Sequence, residues 1–383
     1  MANRIRVRQV PFTGNRTTDG GSVTYRSYLS LDERTEDVTG LGDNQPFSVA
    51  RVEKSGGLAN GKSKHAGYNL TWNSCPVDYQ RLDPWAETHL SLSPTDEGNY
   101  ATQLLKRTNP SRASMQALVS GIELREVPPL IRDLWNIRND KLFQKVPRKV
   151  FRSLKLGARL NLMIQFGIMP LIGDVNTLLN LQPLVDQRVK EIDRLMTRGL
   201  RRTVSLDTMT KRSQTSLQSV HSSPITLKAK LRKFTEQEVR GHVRWHVHEN
   251  FYLSDKQRRA KALNIIIGNK LDPLTMWEAM PWSWFIDYFT NLGDFISSTR
   301  NSLHTTHSIP RIMYHKTTRF TSYQHTYYHS SSTGWEVHFS PMSNVIENKS
   351  RNIVPASLAA FTEFLSGSQL SIVGSLYVTK FLR

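Results

Sequence analysis

The hydrophobic period changes in blocks along this chain, and that limits its fold more than any other feature. Apolar residues recur at every second position in some stretches and at every third or fourth in others. In residues 1–75, short alternating segments (Val23–Leu31, Phe47–Val52, Tyr68–Trp72) lie between clusters of Gly, Ser, Thr, Asn and Asp and read as strands. Residues 76–124 carry no clear period. From Pro128 to about Gly199 the period is helical. Pro147 is expected to open a helix at its first turn, with Phe151, Leu154, Ala158 and Leu162 on one face. Pro170 interrupts, and a further helix runs through Val175, Leu178, Leu179 and Leu181.

Residues 203–250 return to alternation. Ile225, Leu227, Ala229 and Leu231, then Val239, Gly241, Val243, Trp245 and Val247, read as two strands with apolar inner and cationic outer faces. Residues 255–300 are helical and apolar. Residues 311–340 read as a hairpin turning at Ser330–Gly334, with Trp335, Val337 and Phe339 on one face. Pro355 is expected to start a last helix carrying Leu358, Phe361 and Leu365, ended by Gly367. Runs of strands thus alternate with runs of helices, which predicts an α+β fold with segregated layers. The expected segments are 1–124 mainly β, 125–202 helical, 203–250 β, 251–305 helical, 306–350 a β hairpin, and 351–383 a C-terminal helix and tail.

Charge sets the partner class. Lys and Arg total 51 against 32 Asp and Glu, a formal net charge of +19. Such an excess repels itself unless an anion absorbs it. Phosphate backbones are the commonest such anion, because neutralising them releases counterions; an anionic membrane surface is the rival. The chain is 38% hydrophobic with eight Trp, so it can build a core. A lone cysteine, Cys75, excludes an internal disulfide and a multi-cysteine zinc site. Met1–Phe12 has no apolar run and is not expected to be a signal peptide. The most apolar stretches, Leu160–Ile172 and Leu263–Ile296, are broken by polar residues, Gly and Pro, so no membrane span is expected. Synthesis in a reducing cytoplasm is expected, and neither cofactor nor metal is.

Four candidate chemical sites stand against blander alternatives. Gly56, Gly61, Lys62 and Ser63 match the phosphate-loop spacing, but that chemistry needs a helix directly after the loop. The following residues alternate and end at Pro76, so a surface loop is expected. His242, His246 and His248 could share a strand face and hold a metal, or simply be solvated. Cys75 has no base partner in the sequence and reads as an inert thiol. Asp287, inside the apolar run Trp284–Phe289, is either an active-site acid or a buried structural group that requires hydrogen-bond donors. No catalytic motif is complete, so no enzymatic activity is expected.

The basic surfaces are the stronger signal. Arg138, Lys141, Lys145, Arg148, Arg152, Lys155 and Arg159 are spaced three and four apart, as on one helical face, with Pro147 dividing the run. Lys190, Arg194, Arg198 and Arg201 repeat the pattern on a later helix, partly offset by Glu191 and Asp193. These eleven residues are the candidate phosphate contacts; a solvated helix face is the alternative. Lys228, Lys230 and Arg232, and Arg240, His242 and Arg244, line strand faces that could do the same. Arg4, Arg6 and Arg8 alternate as an RNA arm or a polar edge would. Phosphate contacts anchor, and they read no base sequence.

Two segments carry a resemblance. The run Gln165, Phe166, Gly167, Ile168, Met169, Pro170, Leu171, Ile172, Gly173, Asp174 resembles a Q-F-G-x-x-P-L-x-x-D signature of the maturation proteins of single-stranded RNA bacteriophages. About a hundred residues on, Asp272-Pro273-Leu274, Trp277-Glu278, Pro281-Trp282-Ser283-Trp284, Asp287-Tyr288 and Gly293-Asp294 resemble their second signature. Asp272 stands for the usual Asn, and Trp282, Trp284 and Tyr288 are aromatic exchanges. The resemblance covers about residues 147–300. It implies an elongated, twisted antiparallel β region beside a helical bundle. It also implies a minor virion component, one copy per particle, that replaces a coat-protein dimer. Its helical part would grip genomic single-stranded RNA and its β part would contact a host pilus. The signature positions Gln165, Phe166, Gly167, Pro170, Asp174, Pro273, Trp277, Glu278, Pro281, Ser283 and Asp287 are then expected to be structural.

Overall fold

The computed structural model describes residues 2–39, 45–81, 94–114, 158, 161, 180–248, 252–267, 273–278, 286–287, 289–358 and 367–380. The class is α+β: one large antiparallel sheet of thirteen strands and seven helices among the described residues. The chain divides into two compact units: Met1–Ser93, Ser205–Gly241 and Arg311–Val354 form the first, and Pro94–Val204, His242–Pro310 and Pro355–Arg383 the second.

The first unit is built of strands: β1 Ala2–Thr18, β2 Val23–Thr39, β3 Phe47–Ser55, β4 Leu58–His65, β5 Tyr68–Pro76, most of β6 Leu200–Gln214, β7 Gln218–His221, most of β8 Leu227–Val247, β10 Arg311–Thr326, β11 Tyr328–Ser330, β12 Trp335–Phe339 and β13 Ser343–Ile353. Its described helix, α1, is the single turn Asp78–Arg81. The second unit holds α2 Pro94–Thr108, α3 Leu181–Arg198, α4 Asp255–Ile267, α5 Pro273–Glu278, α6 Leu292–Ser298 and α7 Gly367–Lys380. It also holds the short strand β9 Thr305–His307 and the ends of β6 and β8. Helix α2 puts the first boundary at Ser93–Pro94, ahead of residue 124. Sheet order is β11-β12-β4-β5-β1-β2-β3-β13-β10-β8-β6, with β7 and β9 also on β8.

Alternation explains the first core. Leu227, Ala229 and Leu231 at the start of β8 are buried; the first two pack with Leu70, Trp72, Val220, Ile225, Val337 and Phe339. The expected two strands of residues 225–247 are one. Odd-numbered residues from Leu227 to Trp245 keep one phase, with Lys233 half-exposed. The apolar pattern lapses at Lys233, Thr235 and Gln237; the last two are buried nonetheless, and Thr235 Oγ1 lies 3.2 Å from Thr318 Oγ1. A hydroxyl pair carries the strand through a gap that apolar periodicity reads as a break.

Other expectations shift for local reasons. β11 and β12 form the expected hairpin, turning through residues 331–334, but β10 pairs with β13 instead of β12. Residues 354–358 are not helical, and helix α7 starts at Gly367, where a helix end was expected. Among its described side chains Ile372 and Ser375 are buried, and Asn161 Nδ2 donates to Ser371 Oγ (3.1 Å) and Ser375 Oγ (3.0 Å). The Pro147 helix, the Pro170 break, Val175–Leu179, Phe361 and Leu365 lie outside the described residues.

The phosphate-loop pattern resolves into sheet. Gly56 precedes β4, and Gly61, Lys62 and Ser63 lie within it, paired to β5. A Cβ on Gly56 would sit 1.8 Å from the Pro341 carbonyl oxygen, and one on Gly61 2.3 Å from that of Glu336. Both glycines serve close backbone approach, at φ of 65° and 123°. Ser63 is fully buried and its Oγ accepts the Trp72 indole N–H at 2.9 Å.

β1 is no free arm. It pairs with β2 along its length, with a bulge at Val10/Pro11, and Arg4 is bonded to Asp37. β5 joins its other side only from Asn15 to Thr18. Before that, β1 is partnered on one side alone among the described residues, with Ile5 and Val7 56% and 60% exposed.

Ser63→Ala would leave a buried indole N–H unpaired, and should lower stability by about 1–3 kcal/mol in urea denaturation. Unchanged stability would mean that this serine has no structural duty.

Candidate nucleic-acid interface

Helix α3 buries Val185, Arg188, Ile192 and Leu195, an i, i+3, i+7, i+10 stripe with a cation inside it. Arg188 is 8% exposed. It forms an ion pair with Glu191 at 2.9 Å and donates to the carbonyls of Pro110 (3.4 Å) and Arg112 (3.3 Å). Burial pulls its pKa down, and Glu191 opposes that.

The acids of this helix are taken up. Glu191 also holds Arg202 at 2.6 Å, Asp193 pairs with Arg258, and Asp186 binds Gln182 at 3.0 Å and Arg259 at 3.4 Å. Lys190, Arg194 and Arg198 are exposed and meet no carboxylate among the described residues. Glu191 and Asp193, read from sequence as offsets to this stripe, neutralise other arginines instead. Three cations, one turn apart and about 6 Å from each other along the axis, are left facing solvent.

Arg201 does not belong to that helix. α3 stops at Arg198, Gly199 follows, and Arg201 lies in β6. Its Nε donates to His242 Nε2 at 2.7 Å. His242 is 3% exposed, so it leaves the cationic outer face on which it was placed, whereas His246 and His248 are exposed. No group of three metal-ligating side chains exists among the described residues. On the outer face of β8, Arg232 stacks 4.1 Å over Tyr323 and Arg240 binds Glu238 at 2.6 Å, while Lys228 is exposed. Lys230 and Arg244 are half-exposed.

Arg138, Lys141, Lys145, Arg148, Arg152, Lys155 and Arg159, the whole first stripe, lie outside the described residues. So do Gln165, Phe166, Gly167, Pro170, Asp174, Pro281 and Ser283. Asp287 accepts from the Trp277 indole N–H (Oδ2, 3.2 Å) and the Gly293 amide (Oδ1, 2.8 Å). Pro273 and Glu278 open and close α5. Among the described residues, no helix is long and apolar enough to cross a membrane.

One titratable cluster stood out in neither pattern nor spacing. His221, 1% exposed, has Nδ1 2.9 Å from Asp78 Oδ2 and within 3.2 Å of the Asp78 amide; Asp78 Oδ1 accepts from Arg26 at 2.5 Å. Its Nε2 is buried without a partner, and the ring meets Trp72 edge-on at 5.6 Å. Burial pushes its pKa down to about 4, with Asp78 opposing and Arg26 and Arg16 reinforcing. Enclosed this fully, it has no route to a substrate and acts as a structural neutral ring. The nearby Cys75 thiol is buried and its pKa is raised by that burial.

An unfolded histidine takes a proton near 6.5 and this one only near 4, so stability is fully present above about pH 6.5 and is lost as pH falls toward 4. The loss is roughly 3 kcal/mol across that window. Urea midpoints at about pH 7 and about pH 5 should diverge less in His221→Asn than in the unaltered chain; an identical slope would remove His221 from the account.

No protein-family model matches this sequence, and no curated protein matches it significantly.

Proposed function

We propose that this chain is the maturation protein of a single-stranded RNA bacteriophage. It is a minor virion component that binds genomic RNA through its helical unit and attaches the particle to a host pilus through its strand-rich unit. The two signatures, Gln165–Asp174 and Asp272–Asp294, support the family reading. The observation that carries RNA binding is the outer face of α3, where Lys190, Arg194 and Arg198 stand without acids while the helix's own carboxylates are taken up by other arginines. A net charge of +19 supplies the same polarity to the chain as a whole. The partners are genomic RNA, coat protein and pilin, and no catalytic step is assigned. The strand-rich unit offers the attachment role long exposed ribbons and no identified contact residue.

Neutralising the stripe (Lys190→Gln, Arg194→Gln, Arg198→Gln) should flatten the dependence of log affinity on log salt by about 2, at about 0.7 per phosphate on single strands. The fold, followed by circular dichroism, should persist because all three side chains are exposed. An unchanged slope would remove α3 from the interface. Sedimentation after ribonuclease treatment tests the particle: the chain should travel with protected RNA at about one copy, and sedimentation alone would refute the virion role.

A further inference from the structure

The second unit contains a cleft of about 290 Å³ whose walls come from the end of α2, the loop after it, α5 and α6. Leu274, 7% exposed, supplies an apolar surface, and Trp277 an aromatic one. Lys106, Arg107, Arg112 and Arg300 bring four cations to the same space.

These parts are fixed before any ligand arrives. The indole of Trp277 is oriented by its bond to Asp287, whose other oxygen takes the Gly293 amide. A Cβ on Gly293 would lie 2.4 Å from Asp287 Oδ2, so a glycine here lets the carboxylate reach the indole. Asn109, 1% exposed, ties the cationic walls together: its Nδ2 donates to the carbonyls of Ser298 (3.2 Å) and Arg300 (2.7 Å), and its Oδ1 accepts from Ser111 N at 2.8 Å. Buried Arg188 holds the Arg112 carbonyl from the other side. Of the three acids lining the cleft, Asp294 is paired with Lys106 at 2.5 Å, Asp287 is spent on the indole and the amide, and Glu278, at the end of α5, is engaged as well. Arg112 meets no carboxylate among the described residues; its Nη1 donates to the Arg107 carbonyl.

An oriented aromatic face beside guanidinium groups carried on a pinned backbone suits a flat ring that carries an anion. The cleft sits at the small end of ligand-pocket volumes, which is the scale of one nucleotide. A paired base stays stacked inside its helix, whereas an unpaired one can leave and stack on an aromatic side chain. We propose that this cleft captures a single unpaired nucleotide of the bound RNA, its base against Trp277 and its phosphate toward Arg112 and Arg300. This rests on the RNA-binding reading above and gives it a specific contact, distinct from the α3 stripe.

The full chain should bind a short unpaired RNA oligonucleotide more tightly than a duplex of the same sequence. Trp277→Leu should weaken the unpaired complex by roughly ten-fold and leave the duplex complex unchanged. Arg112→Gln, which leaves the aromatic wall in place, should also weaken it selectively. A 4-thiouridine oligonucleotide, irradiated with the unaltered chain, should crosslink to the peptide containing Leu274 and Trp277, which keeps the test independent of variant folding. Equal affinities in both variants, or crosslinks confined to α3, would overturn the cleft assignment while RNA binding stood. Adenosine monophosphate binding as tightly as the oligonucleotide would make this a free-nucleotide site and overturn it too. A chain that binds no RNA at all would remove both readings.

Discussion

In a chain with 19 more cations than acids, a carboxylate is worth most where cations crowd together. Glu191 shows the arrangement at its tightest. It stands between Arg188, inside the apolar stripe of α3, and Arg202 at the start of β6. Asp78 pairs with Arg26 and also meets the neutral ring of His221. The surplus charge is thereby concentrated on outer faces, and the interface proposed for α3 is a by-product of how the interior is neutralised.

Rigidity follows from the same interior bonds. Arg188 reaches across to the carbonyls of Pro110 and Arg112, and Asn109 reaches the end of α6. One buried cation and one buried amide therefore set the backbone that carries the cations of the cleft. Such preorganisation spares binding the entropy of ordering long side chains on a mobile loop. Asp287, which sequence leaves between catalyst and structural group, accepts from an indole and a backbone amide and so holds the indole in place.

The fold class was legible because period two and period 3.6 occupy separate blocks, as at Leu227–Leu231 and Val185–Leu195. Single elements were less so. Lys233, Thr235 and Gln237 hide the continuity of β8, since neither a lysine nor a buried hydroxyl pair has an apolar signature. Hairpin reasoning favours the nearest strand in sequence, whereas β10 pairs with β13, which lies further on. Of the candidate site, Lys190, Arg194 and Arg198 were legible from spacing alone. Arg201 was not, because the helix ends before it. Arg188 carries a signal in the sequence, its place between Val185 and Ile192 on the apolar face. His221 and Asp78, 143 positions apart, had none.

The half-open ribbon of β1 and β2 also governs how copies of this chain treat one another. A strand partnered on one side invites another chain to complete it. Here Arg6 and Arg8 alternate along that strand beyond Arg4, which Asp37 neutralises, Pro11 removes one donor, and the bulge at Val10/Pro11 breaks the register. Two copies meeting edge to edge would bring like charges into opposition before any backbone bond formed. The shield is electrostatic, with a reach of about 8 Å in physiological salt, so ionic strength controls how closely these ribbons can approach.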